Sequence, residues 1–512
     1  MKKKIISILG MSALMALTAC NQRGPTQVDQ ELPSGDPSKQ VTISFWHCLG
    51  HEKTKNLEKI VAQYNTKYAG KYKIKLKHPA GDYNSLHSVL KTKMSSGEVP
   101  TISMGYPDSF SEYMTSIMTD SFILRLDSWL NDAEVGYSSD ELEDFVPGYY
   151  NEGTNYQFDG TWSMPMYKST EVVYYNYSYF MGVNPLNAKK YRDNAQFMAL
   201  YNEAYGRTFE NDDQGTLQED LEAVHDWLVA QDGENAYVYT MPATWDAAIA
   251  LARDMAADRA EMGITAEFYP FGYDSDSNLL ISQMAQRNIP YTVNDEESKK
   301  TPKKHIQFNN ADAKALVREL VGYLNEKIMI TKNSIGDGTT YTNSYFNEGK
   351  CGFTVGSTGG SSYNISSNFA VKLAPVPYKD NQKYIQQGPS ICFFDTGSKW
   401  KNKAAWLFYK ELADPSNNAA LALENSYDPV RISSYESPEY ETWVSYAGSG
   451  LKYDIPAMTQ TLKEYYFTSP VFVGSSKCRN EIGNIINYIY QSNMSVDQAF
   501  RKAYDNCLTA VK

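Results

Sequence analysis

Residue patterns that could form a catalytic or metal-binding site are incomplete in this chain of 512 residues. His51-Glu52 begins like the zinc motif HExxH but lacks the second histidine. Asp274–Asn278 spaces oxygen ligands like a calcium loop, yet Leu279 and Ala285 occupy its required glycine and glutamate positions. Gly356–Gly360 has neither the lysine of a phosphate-binding loop nor the serine pattern of a nucleophile elbow. We therefore predict no catalytic residue, no metal site and no cofactor.

Residues suited to binding a ligand without chemistry are more prominent. The stretch Trp162–Phe180 mixes β-branched and aromatic residues with the polar run Tyr167–Thr170. The chain contains 40 tyrosines, whose rings combine flat apolar faces with a polar edge. The glycoside hydrolases remain an alternative. Their two catalytic carboxylates face each other across a cleft and therefore have no recognisable spacing in the sequence.

The N-terminus has the pattern of an export signal. Lys2–Lys4 precede the apolar run Ile5–Leu17, which is too short to span a membrane. The run ends in Leu17-Thr18-Ala19-Cys20, which resembles the lipobox of bacterial lipoproteins and implies that residues 1–19 are removed and Cys20 is lipidated. Residues 20–40 are rich in proline and glycine, so we predict a flexible tether to the outer face of the cell membrane.

Charge and cysteine content exclude other classes of protein. The net charge is −12 and the chain beyond the signal segment has no basic run, so a nucleic-acid partner is not expected. Beyond Cys20 the cysteines are scattered without a CxxC motif, which argues against a zinc site. Most are expected to be small buried hydrophobic residues, with a Cys478–Cys507 bridge as an alternative.

The chain after the tether alternates strands and helices. Val41–Trp46, Lys71–Lys77 and Val99–Met104 have strand patterns, separated by helices expected over Glu52–Tyr68 and from Asn84. This order predicts a parallel sheet. Because ligands bind beyond the carboxyl ends of such strands, the pattern places several side chains on one rim. They are His47, Tyr83, Tyr106 and Asp108.

The middle and end of the chain are less regular. Residues 188–240 are polar and acidic, which suggests an insertion. Helical patterns begin at Thr244 and Asn310, and Ser495 with Gln498 forms a capping box for a last helix.

Short motifs along most of the chain resemble, in the same order, those of the extracellular solute-binding proteins of family 1, the sugar receptors of ABC importers. They include VTISFWH, VPTISMGYPDSFSEYM, MPMYKSTEVVYYN, FNEGKCGFTVGSTGG, AAWLFYKELADP and SYDPVRISSYE. The chain is most similar to the glycerol-3-phosphate-binding and multiple-sugar-binding branches. Each motif alone is a weak signal, whereas their shared order is a strong one.

The resemblance implies an α/β fold of the two-lobe periplasmic-binding-protein type (type II), with a ligand cleft between lobes that are joined by hinge segments. The implied lobes are residues 41–168 with 380–425, and residues 169–379 with 426–512. In this arrangement Met164–Lys168 would approach the hinge.

Carried over position by position, the resemblance also implies ligand contacts. Aromatic rings would stack on sugar faces, while hydroxyls and amides would fix the orientation. Two of the aromatic residues have alternative structural roles, in a helix core and in packing the Asp428-Pro429 turn. The implied contacts are Tyr83, Ser169, Trp245, Ser357 or Thr358, Gly388 and Tyr427.

Two departures from the glycerol-3-phosphate branch bear on the ligand. Pro107 stands where that branch has a glutamate, and Phe472 replaces an arginine. Losing a guanidinium removes a phosphate partner, and gaining a ring favours stacking. We predict a monomeric, lipid-anchored receptor that captures a neutral sugar or oligosaccharide and delivers it to ABC permease subunits. A receptor for glycerol-3-phosphate or a phosphodiester is the alternative within the family.

Overall fold

A computed structural model describes residues 29–114, 121–205, 218–336 and 340–511. The predicted signal segment and Cys20 lie outside these ranges. Among the described residues, none of the helices combines the length and apolar character needed to cross a bilayer.

The strands are β1 (Val41–Trp46), β2 (Tyr72–Lys77), β3 (Ile102–Gly105), β4 (Met164–Pro165), β5 (Glu171–Asn176), β6 (Tyr269–Tyr273), β7 (Met329–Thr331), β8 (Cys351–Ser357), β9 (Val371–Pro375), β10 (Tyr384–Ile385), β11 (Ser390–Phe393) and β12 (Tyr466–Phe467). The helices of the first half are α1 (Lys55–Lys67), α2 (Tyr83–Ser95), α3 (Pro107–Phe110), α4 (Asp127–Leu130), α5 (Ser139–Glu143), α6 (Pro147–Asn151), α7 (Tyr177–Phe180), α8 (Pro185–Lys190), α9 (Ala195–Tyr205), α10 (Gln218–Asp232) and α11 (Trp245–Glu261). Those of the second half are α12 (Asp276–Gln286), α13 (Glu296–Lys300), α14 (Ala311–Asn325), α15 (Lys332–Ile335), α16 (Thr342–Asn347), α17 (Lys399–Leu412), α18 (Pro415–Glu424), α19 (Pro438–Val444), α20 (Leu451–Leu462), α21 (Ser475–Tyr490) and α22 (Val496–Leu508).

The first lobe is built on a sheet with the order β2-β1-β3-β11-β4. β2, β1 and β3 are parallel, as the sequence pattern predicts, whereas β11 runs antiparallel to both β3 and β4. In β1 the alternation of side chains buries Ile43 and Phe45. α1 covers the sheet with Leu57, Ile60 and Tyr64, which recur at helical spacing. The carboxyl ends of β1 and β3 therefore meet at one edge.

The second lobe has a sheet with the order β7-β6-β8-β5-β9, in which β6 is parallel to β7 and β8. β5 is antiparallel to β8 and β9, so this sheet has the same mixture of directions as the first. α21 and α22 pack their apolar stripes against each other beside it. The cysteines of the described chain are buried and unbridged in both lobes: Cys48, Cys351, Cys392, Cys478 and Cys507.

The chain crosses between the lobes at two crossing segments, residues 166–170 and 386–389, and residues 426–430 of the first lobe lie beside them. Their main chains pair: Lys168 bridges to Asp428, and Ser169 bridges to Gln387. The Ser169 N–H donates to the Gln387 carbonyl at 3.0 Å, and the Gln387 N–H donates back at 2.8 Å. The two-lobe α/β fold expected from the resemblance is thus confirmed, with the crossing segments side by side between the lobes.

Some segments lie on the other side of the lobe boundary from the sequence expectation. Tyr384 and Ile385 pack in the second core, although the first lobe was expected to resume at residue 380. Val430 packs in the first core, and Tyr440 packs on α18 of the first lobe. The reason is that the chain leaves the second lobe only at residues 386–389 and returns to it only after α19, where α20 packs on β9. These positions leave no periodicity in the sequence.

Two surface segments also differ from simple expectations. The tether expected over 20–40 is docked along part of its length, because Leu32 is buried and the Trp129 indole N–H donates to the Gln30 carbonyl. Within the possible insertion at 188–240, α9 and α10 pack together around Phe197, Tyr201 and Leu228. That segment therefore has a small apolar core of its own, attached to the second lobe.

We predict that Gly388→Ala destabilises the protein by about 2–4 kcal/mol. Gly388 has φ +101°, and a Cβ there would lie 2.8 Å from the Tyr167 carbonyl oxygen and 3.0 Å from the Lys168 Cα. Gly397→Ala is the matched control, since Gly397 has φ +70° but open space around it. It should cost about 1 kcal/mol. Urea unfolding of both variants measures the difference; equal losses would contradict the close packing of the crossing segments.

Candidate functional site

A cluster of four tyrosines, Tyr83, Tyr106, Tyr167 and Tyr427, lies where the lobes meet. The rings of Tyr83 and Tyr106 are 4.5 Å apart between centroids, as are those of Tyr167 and Tyr427. Tyr83 lies beside Tyr167 and Tyr427 and thereby joins the two pairs. This tyrosine cluster presents aromatic faces and hydroxyls at the lobe boundary.

Local structure explains the position of each ring. Tyr83 is the first residue of α2, whose N-cap is Asp82; the Asp82 carboxylate accepts the Ser85 N–H at 2.9 Å. The sequence pattern predicts Asn84 as the N-cap, so the predicted cap was two residues late. Tyr106 follows β3 and precedes α3. Tyr167 belongs to the first crossing segment, and Tyr427 lies in residues 426–430, which pair with that segment.

Burial keeps the tyrosine cluster uncharged at neutral pH. It raises the pKa of Tyr427 to about 12 and raises the pKa of Tyr83 well above its usual value. Burial also raises the pKa of Tyr106, against a smaller opposite effect of the Arg479 charge. Neutral phenols can stack on an apolar face and both donate and accept hydrogen bonds.

The second lobe contacts this cluster through the end of β8 and the turn after it. The Tyr427 ring fills the space beside Gly359, where a Cβ would lie 2.5 Å from the ring. Lys53 of the first lobe donates to the Gly359 carbonyl at 3.2 Å. Thr358 is fully buried, and its hydroxyl has no hydrogen-bond partner among the described residues.

A cavity of about 60 Å³ lies next to the cluster, between α3 and α21. We call it the interlobe cavity. It has room for a few water molecules, so a larger ligand requires the lobes to move apart. It is lined by Tyr106, Pro107, Asp108, Glu152, Ile385, Gln386, Gln387, Gly388, Ser469, Val471 and Arg479.

Several polar atoms of the interlobe cavity are buried without a hydrogen-bond partner in the described chain. They are Oδ1 of Asp108, both side-chain polar atoms of Gln386, Nε2 of Gln387 and Oγ of Ser469. Each such atom costs about 1–3 kcal/mol when it is left unpaired. Their convergence on one cavity indicates a site for a polar ligand that supplies both donors and acceptors.

Charges in the cavity are nearly balanced. Lys168 has a fully buried side chain, pairs with Glu152 and donates to the Ser390 hydroxyl at 3.0 Å. Burial raises the pKa of Asp108, whereas the nearby Arg479 charge opposes that rise. A guanidinium therefore does reach this site, although the sequence comparison at Phe472 predicted its loss.

The structure brings together much of the predicted set. Tyr83, Tyr106 and Tyr427 meet at the tyrosine cluster, and Asp108 and Gly388 line the interlobe cavity. Thr358 directly precedes Gly359, which lies against the Tyr427 ring. Two further residues of the predicted set make hydrogen bonds near the lobe boundary through their main-chain atoms. Ser169 pairs with Gln387, and the Ser357 carbonyl accepts from the Tyr174 hydroxyl at 2.9 Å.

Trp245 and Phe472, which were predicted at the cleft, lie in the core of the second lobe and do not line the interlobe cavity. Trp245 is fully buried with its ring 5.4 Å from that of Phe271. Phe472 is fully buried and stacks on His305 at 4.4 Å. Both rings belong to the hydrophobic core of the second lobe, and burial in a core is favourable for large apolar side chains.

His47 follows β1 as predicted, but it contacts His78 and not the interlobe cavity. The two rings are 5.4 Å apart, and His47 is buried. Burial, with a smaller effect of the His78 charge, lowers the pKa of His47 to about 4. The imidazole is therefore neutral at physiological pH.

Sequence reasoning missed Tyr167, Gln386, Gln387, Ser469 and Arg479. Two signals were visible: Tyr167 begins the polar run Tyr167–Thr170, and the polar run Gln386-Gln387-Gly388 before a proline is unusual between two strands. Arg479 gave none, because it occupies a polar position of an amphipathic helix.

The aspartates of the rejected calcium pattern are separately hydrogen-bonded. Asp274 accepts from the Thr342 N–H at 3.1 Å, and Asp276 accepts from the Asn333 N–H at 3.0 Å. Across the described residues, no group of three or more His, Cys, Asp or Glu side chains is arranged to hold a metal ion.

A buried carboxylate, Glu171, lies directly after the first crossing segment. Its two oxygens accept from the Tyr273 hydroxyl at 2.6 Å and from the Asn278 amide at 2.7 Å. Burial outweighs these bonds and raises the pKa of Glu171 to about 7.

The family model for bacterial extracellular solute-binding proteins matches residues 59–448 of this chain. No curated protein matches it at a significant level. Among solved structures, the GacH receptor of Streptomyces glaucescens, determined unliganded and with acarbose, has 14% sequence identity and a TM-score of 0.61. The match covers 93% of this chain and 100% of that one.

Two other structures are similar in the same way. The ABC substrate-binding protein Lmo0181 from Listeria monocytogenes, in complex with cycloalternan, has 12% identity and a TM-score of 0.64, covering 92% of this chain and 98% of that one. UgpB from Mycobacterium tuberculosis, in complex with glycerophosphocholine, has 15% identity and a TM-score of 0.60, with the same coverage. These likenesses establish the fold.

We predict that Glu171 makes stability fall as pH rises from 5 to 8. Its pKa of about 7 in the folded protein exceeds the ordinary 4.5, so the folded state holds the proton more tightly. As pH rises through this window the proton is lost and that contribution disappears, by up to about 3 kcal/mol. Denaturant unfolding at several pH values should show a flatter profile for Glu171→Gln. The exposed Glu439→Gln is the control, and parallel profiles for wild type and Glu171→Gln would contradict the prediction.

Proposed function

This chain belongs to the bacterial extracellular solute-binding proteins, and we propose that it is the carbohydrate-binding component of an ABC importer. Its ligand is a neutral sugar or oligosaccharide. The observation that supports this proposal is the juxtaposition of an aromatic cluster and a polar cavity at the lobe boundary. Sugar rings have apolar faces and hydroxylated edges, so they match both surfaces.

The balance of charges favours a neutral ligand over a phosphate ester. Arg479 is offset by Asp108, and Lys168 is already paired with Glu152. An anionic ligand would bring its charge close to both carboxylates, which is unfavourable in a poorly solvated cavity. Hydroxyl groups, by contrast, can donate to Asp108 and accept from Arg479 and the glutamine amides.

Capture without hydrolysis fits the same residues. Hydrolysis of a glycosidic bond uses two carboxyl groups, one as acid and one as base or nucleophile. Among the described residues that line the cavity, the second carboxylate is Glu152, which is already paired with Lys168.

Ligand binding would act by closing the lobes. The interlobe cavity is too small for a sugar ring in this conformation, so the ligand enters an open form and contacts both lobes in the closed one. A ligand shifts the population toward the closed form by its extra contacts there. The closed complex would then deliver the sugar to the permease subunits, while lipidated Cys20 retains the receptor at the membrane.

Isothermal titration with maltotriose, cellotriose, xylotriose and glycerophosphocholine tests the ligand class. We expect at least one trisaccharide to bind, with an affinity near micromolar, and to be recovered intact. Tyr83→Ala should weaken that binding by about 10- to 100-fold, since it removes a stacking ring. The exposed Tyr446→Ala is the control and should have no effect. Binding of glycerophosphocholine alone, or cleavage of the sugars, would contradict the proposal.

Cys20→Ser tests the membrane anchor. We expect the full-length protein to label with radioactive palmitate and to sediment with membranes when expressed in a bacterial host. Cys20→Ser should abolish both, because the thiol accepts the lipid. Cys48→Ser, a buried cysteine, is the control. Unchanged sedimentation of the Cys20→Ser protein would contradict lipid anchoring.

A further inference from the structure

Arg479 is a candidate ligand-binding residue of the second lobe. It is on α21 and lines the interlobe cavity opposite Asp108 of α3. The two elements also meet directly, since the Ser475 hydroxyl donates to the Asp108 carbonyl at 3.5 Å. A guanidinium has several N–H donors in one plane, so one bond to the protein leaves others for a ligand.

A chain of hydrogen bonds fixes this guanidinium. Arg479 Nη2 donates to Oδ1 of Asn278, and Nδ2 of Asn278 donates to Oε1 of Glu171 at 2.7 Å. The Tyr273 hydroxyl donates to the other Glu171 oxygen at 2.6 Å. Glu171, Asn278 and Tyr273 are all more than nine-tenths buried. Glu171 begins β5, Tyr273 ends β6 and Asn278 lies in α12, so three elements hold the chain in place.

The orientation of the Asn278 amide follows from this chain. An asparagine side chain has one acceptor oxygen and one donor nitrogen. Because the Glu171 carboxylate accepts from the nitrogen, the amide must turn its oxygen toward Arg479. Glu171 thereby influences the cavity without touching it.

Building on the proposed function, we propose that Arg479 binds the ligand and that Asn278 and Glu171 are its positioning residues. The group recognised is a pair of neighbouring hydroxyls on a sugar ring. Arg479 donates to one hydroxyl, while the unpartnered Oδ1 of Asp108 accepts from the other. A phosphate or carboxylate would satisfy Arg479 but would be repelled by Asp108.

The test is a double-mutant cycle on the tightest trisaccharide among maltotriose, cellotriose and xylotriose. Arg479→Leu, Asn278→Leu and Glu171→Ala should each weaken binding by about 10- to 100-fold. The double variant Asn278→Leu/Arg479→Leu should bind no more weakly than Arg479→Leu, because Asn278 acts through Arg479. Glu171→Gln should stay within about threefold of wild type, since its amide oxygen still accepts from Asn278.

Asn184→Leu is the matched control for loss of a buried amide. Asn184 is buried in the second lobe and donates to the Tyr179 and Tyr237 carbonyls, away from the interlobe cavity. It should lower thermal stability without changing affinity. Additive losses in the double variant, or an equal loss of affinity in Asn184→Leu, would overturn the positioning role.

A measurement without ligand separates this proposal from the proposed function. In the ¹⁵N NMR spectrum of wild type, the Arg479 guanidinium should show an N–H resonance protected from exchange, assigned by its loss in Arg479→Leu. Asn278→Leu and Glu171→Ala should lose that protection, and Glu171→Gln should retain it. If no probe sugar binds, the proposed carbohydrate function fails for these ligands. Absence of the protected resonance in wild type overturns the positioning chain independently.

Discussion

The paired crossing segments are the constraint on which the arrangement of this molecule depends. Main-chain hydrogen bonds join residues 168 and 169 to Asp428 and Gln387, and the buried Lys168–Glu152 ion pair lies beside them. Removing one partner of such a pair leaves an uncompensated buried charge, which typically costs about 3–5 kcal/mol. The pairing also positions Tyr167 on one side of the boundary and Glu171 on the other. The contacts that join the lobes therefore also position residues of the candidate site.

Burial has two different consequences at the lobe boundary. For the tyrosine cluster it keeps the phenols neutral, so aromatic faces are available next to uncharged hydroxyls. For the interlobe cavity it leaves polar atoms of Asp108, Gln386 and Ser469 unpaired, at a cost in stability. A receptor can tolerate that cost because a ligand that pairs these atoms recovers it on closure. The same argument links affinity to the closing of the lobes.

Local elements of the first lobe could be predicted from sequence because they depend on local periodicity. The alternation of β1 and the helical stripe Leu57, Ile60 and Tyr64 both match the structure. The N-cap of α2 was assigned to the wrong residue, because Asp82 and Asn84 are both polar residues suited to capping. The strand directions of β4 and β11 also escaped prediction, since direction depends on connections made far along the chain.

For this protein, the sequence by itself determined the order of elements, the rim positions of Tyr83, Tyr106 and Asp108, and the family resemblance, all of which reside in short contiguous motifs. Tertiary structure alone decided which aromatic residues face the boundary. Trp245 and Tyr427 are both predicted ligand contacts, yet Trp245 is enclosed by the second core and Tyr427 lies against Gly359 of the opposite lobe. Tertiary structure also decided that Arg479 and Asn278 lie at or beside the site. Side chains that are distant in sequence become neighbours through packing, and their spacing along the chain does not predict this proximity.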